Sequence, residues 1–244
     1  MIVPAPYDGE ERPMLSAWAG ALVPVLSDTT VSGTGHLPEP AGTGYVLAAN
    51  HTSFFDPVLL VGTLHRLGLR PAVLATAGLW RVPLLGPALT REGYVPVHRG
   101  SRRAADSLRH AADALSAGRG VLVYPEGGLP RYRASQDRPP GRLKSGVVRL
   151  ALSTGVPVGH AGARRVSSGG RGKQLAGWAT APVRRPRVHV HFGPAVRLDT
   201  SASPLDDLET ALARAWAGAV HALDGGPGGD GTPEGDERLP AGRH

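Results

Sequence analysis

Apolar residues occur in short clusters whose spacing switches between the helical period and the strand period. From Met14 to Leu26, Leu15, Trp18, Leu22 and Val25 fall at helical spacing. This predicts a short amphipathic helix. It either packs on the core or lies in a membrane interface, a setting that suits Trp18. Val31 to Gly44 is turn-rich. Tyr45-Val46-Leu47-Ala48-Ala49 then reads as a short buried strand, and Asp56-Pro57 opens a helical pattern through Leu59, Leu60, Thr63 and Leu64. Pro57 suits a first helical turn and Asp56 the cap before it.

Ala72 to Ala75 is a second apolar run. Gly78 to Pro87 is apolar but broken by Pro and Gly. It either packs on the core or forms a short helix and a turn that expose Leu79, Trp80 and Leu84. Tyr94 to Val97 is a third strand, and Ser101 caps a helix through Leu108, Ala112 and Leu115 that stops at Gly118. Val121 to Tyr124 is a fourth strand. Ser145 caps a helix with Val147, Leu150 and Ala151 inward and Gly155 at its end, and Val156-Pro157-Val158 begins a fifth strand.

Arg164 to Gly172 is a basic loop, either a solvated excursion or a contact for an anionic surface. Arg187 to Phe192 alternates, with Val188, Val190 and Phe192 on one face. His189 and His191 on the other face are expected to be exposed strand residues rather than metal ligands. Ser203-Pro204 starts a last helix that runs to about Ala222, with Asp206 and Asp207 at its positive end. Strands alternating with helices predict an α/β fold with a largely parallel sheet flanked by helices.

Composition narrows the partners. The chain has 244 residues, enough for one large α/β domain, and no cysteine, which removes disulfides and thiolate metal sites. Lys and Arg number 27 against 20 acidic residues, a formal charge of +7 carried mostly by Arg. That balance favours anionic partners: nucleic acid, anionic lipid or a phosphorylated substrate. No apolar run approaches the ~20 residues of a membrane-spanning helix. The N-terminus has neither the basic region nor the cleavage site of a signal peptide.

Three predicted strands end in polar residues. One ends at Asn50-His51, one at His98-Arg99, and one at Pro125-Glu126-Gly127. A parallel sheet gathers such ends on one edge. His51 and Asp56 bracket a tight strand-to-helix connection, and two readings stand. Either they are a general base and the carboxylate that orients it, or a satisfied structural histidine and an ordinary helix cap. With a guanidinium and a Gly-rich turn on the same edge, the set suits acyl transfer to the hydroxyl of a phosphorylated alcohol.

The chain resembles the glycerophosphate and 1-acylglycerol-3-phosphate acyltransferase family. Asn50-His51-Thr52-Ser53-Phe54-Phe55-Asp56 matches its first block, a His and an Asp separated by four residues. Gly93 to Arg99 resembles the second, Tyr124-Pro125-Glu126-Gly127 the third, and Val156-Pro157-Val158 the fourth. Trp80 to Gly86 and Leu143-Lys144-Ser145-Gly146 resemble segments between blocks. Order and spacing agree from about Val31 to about Gly159.

The resemblance implies a site that faces a membrane, no metal, and no cofactor beyond the thioester donor, acyl-CoA or acyl-carrier protein. It implies His51 as base and Asp56 as its orienting partner. Arg99 would bind the acceptor phosphate, and Glu126 and Gly127 would shape the acceptor site, with Asn50, Lys144 and Arg131 among the substrate-binding residues. The implied acceptor is a lysophospholipid, 1-acylglycerol-3-phosphate first. The third block departs from the family: Gly128 stands where Thr is usual and Leu129 where Arg is usual, with Arg131 and Arg133 close by. Another hydroxylated or lyso-lipid acceptor is the alternative.

The expected organisation is one acyltransferase domain over residues 1–222. It has an N-terminal amphipathic segment over 1–30 and the four blocks in a core over 31–160. A disordered tail over 223–244 follows. The expected location is cytoplasmic, peripheral on the inner face of the cell membrane. A non-catalytic lipid-surface protein of the same fold is a competing class, and the retained His51 and Asp56 argue against it. Nucleic-acid binding rests on charge alone, and a serine hydrolase would need a Gly-x-Ser-x-Gly elbow that is absent.

Overall fold

The structure is a computed structural model that describes residues 14–38, 44–51, 53, 55–100, 104–128, 139–165, 179–199, 203–224 and 237–238. In chain order the helices are α1 (Met14–Leu26), α2 (Asp56–Arg66), α3 (Leu85–Arg91), α4 (Ala104–Ser116), α5 (Gly146–Thr154), α6 (Ala181–Arg184) and α7 (Pro204–Asp224). The strands are β1 (Asp28–Ser32), β2 (Val46–Ala49), β3 (Ala72–Thr76), β4 (Val95–Val97), β5 (Val121–Val123), β6 (Val158–Arg165), β7 (Arg187–Val196) and β8 (Glu237–Arg238). They form one sheet in the order β4-β3-β5-β2-β6-β7-β1-β8. The five strands from β4 to β6 are mutually parallel, β7 runs antiparallel to β6, β1 is parallel to β7, and β8 is antiparallel to β1. The expected fold class is the observed one.

The alternation of β2 divides the core. Leu47 and Ala49 point to one face, where they meet Ala19 and Val23 of α1 and Leu59, Leu60 and Leu64 of α2. Val46 and Ala48 point to the other, where Ala111 and Leu115 of α4, Val147 and Leu150 of α5, and Leu208 and Leu212 of α7 cover them. Helices on both faces are what a parallel sheet requires, because neither face of its strands is polar.

Several expectations change. The helix at Met14–Leu26 exists, but its buried side is Ser16, Ala19, Gly20 and Val23. Trp18 is 66% exposed, and Leu22 and Val25 are exposed with it. Small residues face inward because α1 and α2 nearly touch: a Cβ on Gly62 would lie 2.5 Å from the Ala19 carbonyl. Asp28–Ser32, partly read as turn, is a strand in register with β7. In the broken apolar stretch, Leu79, Val82 and Leu84 are exposed while Trp80 is anchored, its indole N–H donating to Thr90 Oγ1 at 3.0 Å. Leu84 is 89% exposed and holds a left-handed φ of 66°, a strained setting for a branched side chain.

His189 and His191 are not exposed strand residues. His189 is buried, its ring between Thr30 Oγ1 at 2.7 Å and Ser32 Oγ at 2.8 Å, and Ser32 Oγ also meets His191 Nδ1 at 2.8 Å. The last helix continues past Ala222. Leu223 is buried, Asp224 pairs with Arg164 at 3.2 Å, and Glu237–Arg238 lies beside β1. The boundary expected at 222 therefore falls inside α7, and part of the expected tail belongs to the sheet. The Ser101 cap and most of the Arg164–Gly172 loop lie outside the described residues.

Candidate active site

Strands β4, β3, β5, β2 and β6 all end on the same edge of the sheet, so Arg99, Tyr124, Asn50 and Ala163 are gathered there. The connection from β2 to α2 is short, and it folds back before the helix starts. Asp56 is the first helical residue rather than the cap; Phe55 is the cap and makes no side-chain capping bond. The Asp56 carboxylate instead turns toward the loop. Its Oδ2 accepts the Ser53 N–H at 2.6 Å and stands 3.4 Å from His51 Nδ1. The side chains of His51 and Asp56 are 15% and 12% exposed, so the pair is largely dry but open on one side. With Nδ1 facing Asp56, Nε2 lies on the far side of the ring. The contact is at the long end for a hydrogen bond, as such pairs often are without substrate.

Two groups hold the His51 ring and backbone. The Tyr124 ring lies against the imidazole, with centroids 4.6 Å apart and planes tilted by 38°. Tyr124 is buried, and burial, with Asp56 and Tyr94 adding, pushes its phenol well above the usual range, so it is neutral. The Glu126 carboxylate accepts the His51 backbone N–H at 2.9 Å with one oxygen and the Gly141 N–H at 3.1 Å with the other. Burial raises its pKa, and those two N–H bonds oppose the rise. Glu126 is thus a strut between the first block and the lead-in to α5.

Asn50 is also placed differently from expectation. It is 2% exposed, and its amide is used in both directions on β6: Nδ2 donates to the Ala163 carbonyl at 2.9 Å and Oδ1 accepts the Ala163 N–H at 2.7 Å. It fixes the end of β2 and has no surface to offer a substrate.

The cations stand around the Pro125–Gly128 turn. Strand β4 is three places from β2, roughly 14 Å at ~4.8 Å per strand. The Arg99 side chain reaches part of the way, to the turn that follows β5: its Nη1 lies 3.4 Å from where a Cβ on Gly128 would be. The Lys144 backbone N–H donates to the Pro125 carbonyl at 2.8 Å, and its stem lies over Gly127. Gly127 has a left-handed φ of 75°, and a Cβ there would stand 3.0 Å from Lys144 Cγ. The bare turn is what lets both side chains approach. Arg99 and Lys144 are both exposed at the mouth of the site. Arg131, expected among the substrate-binding residues, lies outside the described residues, as do Leu129 and Arg133. Among the described residues no group of His, Asp or Glu has the arrangement of a metal site.

Sequence reasoning missed the roles of Tyr124 and Ser53 beside His51, and of Gly141 and Ala163 as backbone partners. The aromatic before Pro-Glu-Gly was a signal for the first. The others contribute only N–H or C=O groups, which every residue carries.

Comparison with known proteins agrees with this fold. The family model described as Acyltransferase matches residues 28–159, more than half of the chain. Over 142 residues, the chain is 31% identical to a chloroplastic 1-acyl-sn-glycerol-3-phosphate acyltransferase of Brassica napus. The match covers 58% of this chain and 38% of that protein. A chloroplastic enzyme of the same description from Arabidopsis thaliana is 30% identical over 142 residues, covering 58% and 37%. The chain thus spans less than two fifths of the curated relatives it matches. The fold is similar to the crystal structure of the 1-acyl-sn-glycerophosphate acyltransferase PlsC from Thermotoga maritima. The TM-score is 0.60 at 21% identity, over 86% of this chain and 78% of that one. The blocks around His51, Arg99 and Glu126 lie inside the matched segment, and the chain belongs to the acyltransferase family.

Proposed function

We propose that the protein moves a fatty acyl group from a thioester, acyl-CoA or acyl-carrier protein, to the hydroxyl of a lysophospholipid. The first choice of acceptor is 1-acylglycerol-3-phosphate. The observation that carries this reading is the half-dry His51–Asp56 pair on the sheet edge where Arg99 and Lys144 flank a bare glycine turn. His51 Nε2 takes the acceptor hydroxyl proton while Asp56 stabilises the imidazolium through Nδ1. The alkoxide attacks the thioester carbonyl, the tetrahedral intermediate collapses, and the leaving thiolate recovers the proton from His51. The thioester is already activated, so the step asks for no cofactor and no acyl-enzyme. Arg99 and Lys144, with Arg131, supply positive charge for the acceptor phosphate. Glu126 and Asn50 hold the backbone that presents His51. The curated relatives, named for 1-acyl-sn-glycerol-3-phosphate, support this acceptor.

The same reading makes the protein a peripheral one, on the inner face of the cell membrane. The exposed Trp18, Leu22, Val25 and Leu84 and the net positive charge support it. No described helix is long and apolar enough to cross a membrane.

The test is acyl transfer from acyl-CoA to a panel of lysolipids with and without phosphate. Wild type should prefer the phosphorylated acceptor, and His51→Ala should lose about 10²–10⁴-fold in turnover while staying folded. Near wild-type turnover in His51→Ala sinks the mechanism. A preference for a neutral lysolipid that Arg99→Ala leaves untouched sinks the acceptor assignment alone.

A further inference from the structure

Two strained turns flank the His51 edge. Among the described residues, two that are not glycine hold a left-handed φ: Leu84 at 66° and Arg185 at 38°. Glycine would hold either turn at less cost, so each position keeps a side chain against its backbone preference. Each also lies at an exposed apolar tip. Leu84 and Val183 are both 89% exposed, more than any other large hydrophobic residue described.

Sheet topology puts the two tips on either side of the site. β3 ends at Thr76, and the segment that carries Leu79, Val82 and Leu84 follows it. β7 starts at the same edge, because it runs antiparallel to β6 and Val188 pairs with Arg165 at the end of that strand. The turn just before β7 therefore brings Val183, Arg184 and Arg185 there. β3 and β7 each lie two strand places from β2, roughly 10 Å at ~4.8 Å per strand, and His51 follows the end of β2 between them. Ala181 anchors the turn, buried in the core that α1 and α2 share. The Thr180 carbonyl accepts the Arg184 N–H at 2.9 Å, and the Ala181 carbonyl accepts the Arg185 N–H at 2.7 Å. The Pro186 carbonyl accepts the N–H of Asp28, just beyond α1, at 3.1 Å. Val183 is thus held outward on a fixed base.

The charges beside this tip select its partner. Arg184 and Arg185 are exposed, and among the described residues neither enters an ion pair. Of the carboxylates near the turn, Asp28 stands opposite Arg187 in the β1–β7 register, and Asp224 pairs with Arg164 at 3.2 Å. Arg81 is likewise exposed beside Leu79 and Val82 at the other tip. An apolar side chain set among cations suits the headgroup layer of an anionic bilayer, where the apolar group leaves water and the cations meet negative charge. On the reading that the protein is peripheral, we propose that Val183, Arg184 and Arg185 form a second lipid contact. It meets an anionic bilayer on the β7 side of the His51 edge, while Leu84 meets it on the β3 side.

The chain has no cysteine, so Val183→Cys supplies a unique thiol for an environment-sensitive fluorophore on the full chain. The probes are vesicles of phosphatidylcholine alone and of phosphatidylcholine with phosphatidylglycerol. On the anionic vesicles the label at position 183 should shift to the blue and be quenched by spin-labelled lipid. A label on Ser116→Cys, at the exposed C-terminal end of α4 on the opposite edge, should do neither. Arg184→Ala combined with Arg185→Gly, which suits the left-handed turn, should weaken flotation with anionic vesicles by roughly tenfold and leave the melting temperature unchanged. If wild type floats but the label at position 183 stays in water, or the double variant floats as well as wild type, this contact is overturned and peripheral binding stands. If wild type does not float, both are overturned. An equal shift on Ser116→Cys marks general adsorption, and an equal shift on phosphatidylcholine alone removes the role of charge. A shift without vesicles that rises with protein concentration marks a second copy of the chain. Each of these three also overturns the proposal.

Discussion

Glu126 spends both carboxylate oxygens on backbone N–H groups, one of them on His51 itself. A Gln at this position can accept only one of the two and turns an NH₂ toward the other donor. Glu126→Gln should therefore destabilise the fold by about 1–3 kcal/mol, read as a lowered urea midpoint, and turnover should fall more than acceptor KM rises. A change confined to KM would show Glu126 touching the acceptor instead. Arg99→Ala should cost roughly 10–100-fold in kcat/KM with a phosphorylated acceptor, for loss of a charge-assisted bond of about 1.5–3 kcal/mol. At this scale the sequence was legible where the partners are local. His51 and Asp56 are five residues apart, and their pairing follows from one turn. Glu126 meets His51 from 75 positions away and Asn50 meets Ala163 from 113. Each ends on a backbone N–H, so no residue type marks the partner in advance.

The two faces of α1 show what periodicity leaves open. A stripe at helical spacing is visible in Leu15, Trp18, Leu22 and Val25, yet the helix turns mainly its small residues inward, because Gly62 brings α2 within contact of its backbone. Apolar spacing locates a stripe; the size of the neighbouring residues decides which stripe faces the core. Strand β1 was hidden for the converse reason. Only Val31 and Ser32 fall in the turn-rich stretch and nothing marks Thr29 and Thr30 as strand, yet the hydroxyls of Thr29, Thr30 and Ser32 meet Ser27, His189 and His191 on the sheet. The outward stripe of α1 and the strained, exposed Leu84 lead to a direct prediction. Trp18→Ser with Leu84→Ser should weaken flotation with anionic vesicles by tenfold or more, since burying each large side chain contributes about 1.5–3 kcal/mol. The melting temperature should hardly move. Unchanged flotation would exclude this face as the membrane contact.

For the whole molecule, the α/β class and the edge that carries the site followed from strand–helix alternation, because parallel strands must put their carboxyl ends together. The order β6-β7-β1 did not, since nothing local in β1 names β7 as its partner. This side of the sheet also holds the histidines. His160 and His191 both have lowered pKa values, in each case from burial first. The unfolded chain takes up their protons near the ordinary value of 6.5, whereas folded His160 resists down to about 4. More protons on the unfolded state means stability falls as pH drops from 6.5 toward 4, and is fully present above 6.5. Melting temperature followed from pH 7 to 4 should show this loss, and His160→Leu should reduce it. Truncation after Ala222 should lower the melting temperature by removing Leu223 and the Asp224 partner of Arg164, whereas truncation after Asp224 should cost less. The place of β1 also has a consequence for the order of synthesis. Thr30 and His189 are partners separated by 159 positions, and among the described residues β1 pairs otherwise only with the two residues of β8. At ribosomal rates of about 5–20 residues per second, β1 waits roughly 8–32 s for β7 to emerge. During that interval the nascent chain carries an unpaired strand edge, open to pairing with another chain.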